Sequence, residues 1–293
     1  MLILHWTTLR GSDLVTSNTM RTRVLFALAA WAAVPLAAQL APPNDAGVTM
    51  GHVHMYVKSV DAQTRFWTSM MGGKAVTNEK LAMIQFPGVF LIFREMEPSA
   101  PPAGSIVDHF GFVLKDLPAA TAKWKANGLL VEQTGTNPNQ SYVTAPDGIR
   151  LEVFGDPSLP VPVQMNHIHF FPPKQDIPAM QAWYAKTFGG VVGKRESVAR
   201  PGNWIDCDDL PGVNLSIGAS DKRRAPTAGR SIDHIGFEVK NLEAFAKKLA
   251  AQGTKLDEPI RSSANSKRLK VAFVTDPWGT RIELTEGLPP AAH

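Results

Sequence analysis

Asp108-His109-Phe110-Gly111-Phe112 and Asp233-His234-Ile235-Gly236-Phe237 are two copies of one motif, and what surrounds them is duplicated as well. Each leads into a predicted helix, 118–127 or 242–252, ended by Gly128 or Gly253. Upstream, Gly51-His52-Val53-His54-Met55 answers to Asn166-His167-Ile168-His169-Phe170. An aromatic helix follows in both copies, marked by Arg65-Phe66-Trp67 and Ala182-Trp183-Tyr184, and a glycine pair (Gly72-Gly73, Gly189-Gly190) suits its C-cap. Downstream, Ala145-Pro146-Asp147-Gly148-Ile149-Arg150-Leu151-Glu152 matches Asp276-Pro277-Trp278-Gly279-Thr280-Arg281-Ile282-Glu283, a Pro/Gly turn between strands. Residues 51–155 and 166–285 are therefore a duplication. Each copy runs strand, helix, strands twice over, which predicts an α+β fold.

Side chains alternate faces along a strand, so parity tells which residues share a surface. Val53, Met55 and Val57, with Ile168 and Phe170, form an apolar set suited to packing on the following helix. His52, His54 and Tyr56, with His167 and His169, face the other way. In the second-half strands Phe110, Phe112, Leu114, Ile235, Phe237 and Val239 are the apolar set, leaving His109 and His234 opposite, beside Gly111 and Gly236. Glu152 and Glu283 likewise fall opposite Leu151, Val153, Ile282 and Leu284. A sheet covered by helices on one side and carrying histidines and carboxylates on the other lines a cavity. Two imidazoles and a carboxylate from separate strands hold a divalent ion with positions left open. Taken copy by copy, the expected sets are His52, His109, Glu152 and His167, His234, Glu283. His54 and His169 are candidate donors behind the ligands or substrate contacts.

Composition narrows the function. Cys207 is the only cysteine, so any metal must use histidine and carboxylate. The net charge of +4 comes with basic clusters at Lys222-Arg223-Arg224 and between Arg261 and Lys270, but with no basic helix or stacking motif, which argues against nucleic acid. Arg21 and Arg23 precede an apolar run from Val24 to Ala38 that ends before Ala41-Pro42-Pro43, the pattern of a secretory signal cut near Ala38, with Met20 the expected start. Residues 1–41 read as leader and signal, which predicts an exported protein, periplasmic or secreted, with no membrane span once the signal is removed. The proline-rich stretch 157–162 reads as the linker between domains at 50–156 and 163–287, and 288–293 as a tail.

These motifs resemble the vicinal oxygen chelate superfamily of glyoxalases, bleomycin-resistance proteins and extradiol dioxygenases, over nearly all of residues 50–287. The resemblance implies two tandem domains, each of two βαβββ units curled into a half-open barrel with helices outside. It puts the first ligand in the opening strand (His52 or His167), the second in the strand that opens the second half (His109 or His234), and the third after the Pro/Gly turn (Glu152 or Glu283). It implies a divalent ion, Fe2+, Mn2+, Zn2+ or Ni2+, chelating adjacent oxygens of a small substrate and stabilising an enolate or catecholate. Both a lyase or isomerase and a dioxygenase fit that description. Phe90-Leu91-Ile92-Phe93 and Asn214-Leu215-Ser216-Ile217 lack the fourth carboxylate common in lactoylglutathione lyases, and no histidine precedes Tyr142 or Phe273 as in extradiol dioxygenases. Proton transfer falls to Glu283, Glu152, His54, His169, Tyr56 or Glu238, with Lys222, Arg223 and Arg224 placed to receive an anionic group. The alternative is a metal-free binding protein of the bleomycin-resistance type, with Trp67, Trp183 or Trp204 as walls.

Overall fold

The computed structural model describes residues 40–290, so the stretch read as a signal, with its expected cleavage near Ala38, lies outside the described residues. Four strand–helix–strand units follow one another. The first comprises β1 (Val48–Val57), α1 (Val60–Arg65), β2 (Lys74–Asn78), β3 (Leu81–Phe86) and β4 (Val89–Glu95). The second has β5 (Val107–Leu114), α2 (Leu117–Ala126), β6 (Val131–Glu132), β7 (Gln140–Ala145) and β8 (Ile149–Gly155). The third has β9 (Val163–Phe170), α3 (Ile177–Phe188), β10 (Val191–Glu196), β11 (Trp204–Leu210) and β12 (Val213–Ile217). The fourth has β13 (Ile232–Val239), α4 (Leu242–Ala251), β14 (Glu258–Ser262), β15 (Lys270–Thr275) and β16 (Arg281–Glu286).

The strands form two eight-stranded sheets, neither closed into a barrel, with orders β14-β15-β16-β13-β1-β4-β3-β2 and β10-β11-β12-β9-β5-β8-β7-β6. The first sheet thus joins units one and four, and the second joins units two and three. This differs from sheets built within the halves 50–156 and 163–287. The proline-rich stretch 157–162 connects two strands of a single sheet, with Lys115 N–H donating to the Pro162 carbonyl at 3.0 Å.

Sequence neighbours meet instead through their helices. Trp67 of unit one stacks on Phe110 of unit two at 5.9 Å, and the Trp124 indole of unit two donates to the Met70 carbonyl at 3.0 Å. In the other half Phe188 packs on Phe237 at 4.7 Å, and the Tyr184 hydroxyl donates to Asp276 at 2.9 Å. The apolar parity set is buried here as expected: Val53, Met55, Phe110, Phe112, Ile168, Phe170, Ile235 and Phe237 belong to one continuous core. Burying such side chains is worth about 1.5–3 kcal/mol each. Gly189 ends α3 in the left-handed conformation (φ +74°), the role its glycine pair predicts. In unit one the helix widens into a π turn over Phe66–Met70 before Gly72 (φ +78°) breaks it. Trp67 is fully buried in this core, Trp183 packs against it, and Trp204 is 65 % exposed.

Candidate metal centres

The faces turned away from the helices carry the histidines, and strand pairing decides which of them meet. Because β1 pairs with β13, His54 stands opposite His234 and His52 opposite Gly236, whose other neighbour on β16 is Glu283. Because β9 pairs with β5, His169 stands opposite His109 and His167 opposite Gly111, which is beside Glu152 on β8. One centre is therefore His52, His54, His234 and Glu283, and the other is His109, Glu152, His167 and His169. All six expected ligands lie in a centre, but the copy-by-copy sets are regrouped: His52 joins His234 and Glu283, and His167 joins His109 and Glu152. Motif and parity fix the face of each residue and leave the partner strand open, because both copies offer the same edge.

Within the first centre the Oε2 atom of Glu283 lies 2.9 Å from His52 Nε2 and 3.0 Å from His234 Nε2. The other ring nitrogen of His234 bonds Asp233 at 2.6 Å, and Arg281 holds the same carboxylate oxygen at 3.1 Å. In the second centre Glu152 Oε2 lies 3.4 Å from His109 Nε2 and 3.2 Å from His167 Nε2, the latter out of line for a hydrogen bond. His109 Nδ1 bonds Asp108 at 3.0 Å, Arg224 pairs with that aspartate at 2.8 Å, and Asn166 fixes His167 Nδ1 at 2.9 Å. His169 Nδ1 lies 3.2 Å from His109 Nε2. Asp108 and Asp233 were legible in the motif, but their role was not. Each orients the ring that follows it and fixes which nitrogen faces inward, as carboxylates behind metal-bound histidines do.

Glycine makes room for these rings. A Cβ on Gly236 would sit 2.0 Å from His52 Cε1, and one on Gly111 would sit 2.3 Å from His167 Cε1. No side chain other than hydrogen fits either position.

Burial pulls the His52 and His54 imidazoles below their ordinary range, and His54 is pushed further by the charge of His234. Burial likewise brings His167 down to about 4 and holds His169 well below the usual value. Burial also opposes charge on His109 and His234, but the flanking carboxylates outweigh it and raise both. Burial opposes the charged form of Glu152 and Glu283 too, yet the histidines around them hold both carboxyls well below the carboxylate range.

These residues fit a divalent ion. The four donor atoms of each centre lie within 4.8 Å of one another, so shifts of a few tenths of an ångström would bring them within the about 4.2 Å that separates opposite ligands at bonds of about 2.1 Å. Buried ring nitrogens at His54 (both), His167 (Nε2) and His169 (Nε2) have no hydrogen-bond partner. Leaving such a group buried and unmatched costs about 1–3 kcal/mol. An ion held by them removes that cost. His54 and His169 are thus placed to serve as donors with the other three residues of each centre, where parity offered them only as neighbours. Tyr56 lies one step further along β1, edge-on to His54 at 6.1 Å and under Arg94 at 5.6 Å. Glu238 turns away to Thr285, Gly287 N–H and Leu288 N–H. Of the loop cations, Arg224 serves Asp108 and stacks on Phe171 at 4.2 Å, and Arg223 donates to the Pro277 carbonyl.

Residues 165–284 match the profile of the Glyoxalase/Bleomycin resistance protein/Dioxygenase superfamily. Glyoxalase I from Zea mays superposes with a TM-score of 0.61 at 17 % identity, over 82 % of this chain and 92 % of that one. A candidate dioxygenase from Bacillus subtilis superposes with a TM-score of 0.59 at 14 % identity, over 84 % and 87 %. At these identities the likeness establishes the fold. No curated protein matches in sequence.

Proposed function

We propose that this chain, which belongs to the Glyoxalase/Bleomycin resistance protein/Dioxygenase superfamily, is a divalent-metal-dependent lyase or isomerase for a small substrate with two adjacent oxygens. The observation that carries the reading is the pair of buried sets of three histidines and one glutamate, with ring nitrogens that nothing else satisfies. Bound there, the ion would act as a Lewis acid on the substrate's oxygens and favour the enolate. Counting donors separates the chemistries. A triad of side chains leaves three of six positions open, enough for two substrate oxygens and dioxygen. Four side-chain donors leave two, which favours proton transfer over oxygenation.

The chain's own groups supply the rest. Asp233 and Asp108 hold His234 and His109 in the tautomer that turns Nε2 inward. Glu283 and Glu152 are held ionised and can accept a proton from a carbon beside the paired oxygens. His54, half-buried and uncharged, with Tyr56 edge-on to its ring, would be the fourth donor of the first centre. A metal-free binding role would leave the unpartnered imidazole nitrogens without compensation. Export is part of the proposal, supported by the basic and apolar N-terminal sequence and checked by finding the mature N-terminus near Ala38 in the extracytoplasmic fraction.

The test is to load the purified protein with Mn2+, Fe2+, Co2+, Ni2+ or Zn2+ in turn, without oxygen. Metal content is then measured, and solvent deuterium uptake at the carbon next to the carbonyl of hydroxyacetone is followed by NMR. The expected result is two ions per chain and exchange that falls at least about a hundredfold in Glu152→Gln combined with Glu283→Gln, the usual scale of one general base. A protein that retains no ion under any loading condition refutes the proposal.

A further inference from the structure

The two centres share their ligands and differ in what surrounds them. On β4, the register partners of His52 and His54 are Phe90 and Ile92. On β12, the partners of His167 and His169 are Asn214 and Ser216. The next strand continues the contrast, with Met83 opposite Ile92 and Cys207 opposite Ser216. One strand further out, Met83 and Cys207 pair with Val76 and Gly193, and two residues along from these, again at matching positions, stand Asn78 and Arg195.

In the first sheet this region is filled by the chain itself. Leu288 is fully buried in a small apolar cluster with Leu81, Met83, Phe90 and Ile92. Asn78 straps that segment down, its Nδ2 donating to the Gly287 and Leu288 carbonyls at 2.8 and 2.9 Å. In the second sheet the same ground is polar. Arg195 Nε donates to Ser216 Oγ at 2.8 Å, and Ser216 in turn donates to Asn214 at 2.6 Å. Among the described residues the two Nη groups of Arg195 have no hydrogen-bond or ion-pair partner. The guanidinium is half-buried, and its charge is felt by Glu152, His167 and His169. A cation held partly out of water beside a cluster of imidazoles, with its fork of donors unused, is matched by an anion that arrives with the ligand. A planar fork suits a carboxylate or phosphoryl group in two-point contact.

Building on the metal-dependent reading above, we propose that the second centre takes a substrate bearing an oxyanion, carboxylate or phosphoryl, beside its paired oxygens, and that Arg195 holds this group. Arg195 then sets specificity by binding the substrate away from the reacting carbon. The filled first centre has no such receptor.

The probes are catechol, 3,4-dihydroxybenzoate and 3,4-dihydroxyphenylphosphonate, which share paired oxygens and differ in the appended anion. They are titrated under argon into the Co2+-loaded protein, in the wild type and in a Glu283→Gln background that isolates the second centre, following the visible cobalt band. One or both anionic probes are expected to bind at least about tenfold more tightly than catechol, as a charge-assisted contact gives. Arg195→Met should abolish that preference and leave catechol affinity unchanged, while Arg195→Lys should restore part of it. Preference for the benzoate or for the phosphonate identifies the anion. Equal affinity for all three probes, or a preference that survives Arg195→Met, overturns the role of Arg195 while leaving the metal centre standing. If cobalt is not retained, or catechol leaves the band unchanged, the metal-dependent reading fails and this inference with it.

Discussion

Pairs of histidine substitutions distinguish centres built across the two halves from centres built within them. His52 shares its glutamate with His234, and His109 shares its glutamate with His167. His52→Ala combined with His234→Ala therefore strips two donors from one centre and none from the other, so the chain should keep one ion of two. His52→Ala combined with His109→Ala damages both, and little metal should remain. Sets assembled copy by copy demand the reverse. Stability should follow the same logic. An ion at a hundredfold excess over its dissociation constant stabilises the native state by about 2.7 kcal/mol. For a chain of this size that is roughly 5–10 °C in Tm. The His52/His234 variant should therefore keep about one such metal-dependent increment, and the His52/His109 variant close to none. Elemental analysis after gel filtration gives the first quantity, and melting with and without EDTA gives the second. Equal metal content in the two double variants, or the inverse order, refutes the assignment of ligands to centres.

Gly236→Ala should cost about 1–3 kcal/mol as an overpacked site and abolish one ion, because its Cβ would fall 2.0 Å from the His52 ring. Denaturant melts and metal content check both effects, and an unperturbed first centre would contradict the cradle. Asp233→Asn leaves the ligands intact but weakens the orientation of His234, so metal affinity at the first centre should fall about 10–100-fold in competition with a chelating dye. Asp208 is fully buried with neither oxygen hydrogen-bonded, and burial lifts its carboxyl to about 7. A raised carboxyl pKa means the folded state holds the proton longer than the unfolded chain, so stability falls as pH rises from about 4 to about 7. Asp208→Asn should therefore raise Tm at pH 8 and change it little at pH 4. The same increment at both pH values would show that charge is not the cause.

What the sequence made legible and what it did not divide along a physical line. Parity places His52, His109, His167 and His234 on the face opposite Val53, Phe110, Ile168 and Ile235, and those four apolar residues are indeed in the core. Alternation is a local property, fixed by backbone geometry. Strand partnership is not local. β13 and β5 present nearly identical motifs, so the sequence near β1 cannot reveal which of them it pairs with, and the ligand grouping depends on that choice. Arg195 escaped attention for a related reason. It lies on an outer strand, β10, and its side chain reaches across to bond Ser216 on a strand not adjacent to its own.

Crossing the sheets between halves has a consequence for how the duplicated centres diverged. Each candidate centre draws its residues from both halves of the chain, so both are held by the same crossed architecture and discarding either half would break both, never one alone. Specificity is free to drift separately, because β2–β4 line only the first centre and β10–β12 only the second. The substitutions lie in those strands: Phe90 against Asn214, Ile92 against Ser216, Asn78 against Arg195. His52 and His167, His54 and His169, and the Asp-His pairs at 108–109 and 233–234 are unchanged between copies. Two equal ligand sets beside two unequal linings are what a shared chemistry with separate selectivities requires, and the lining around Arg195 is the one that leaves a charged group unmatched.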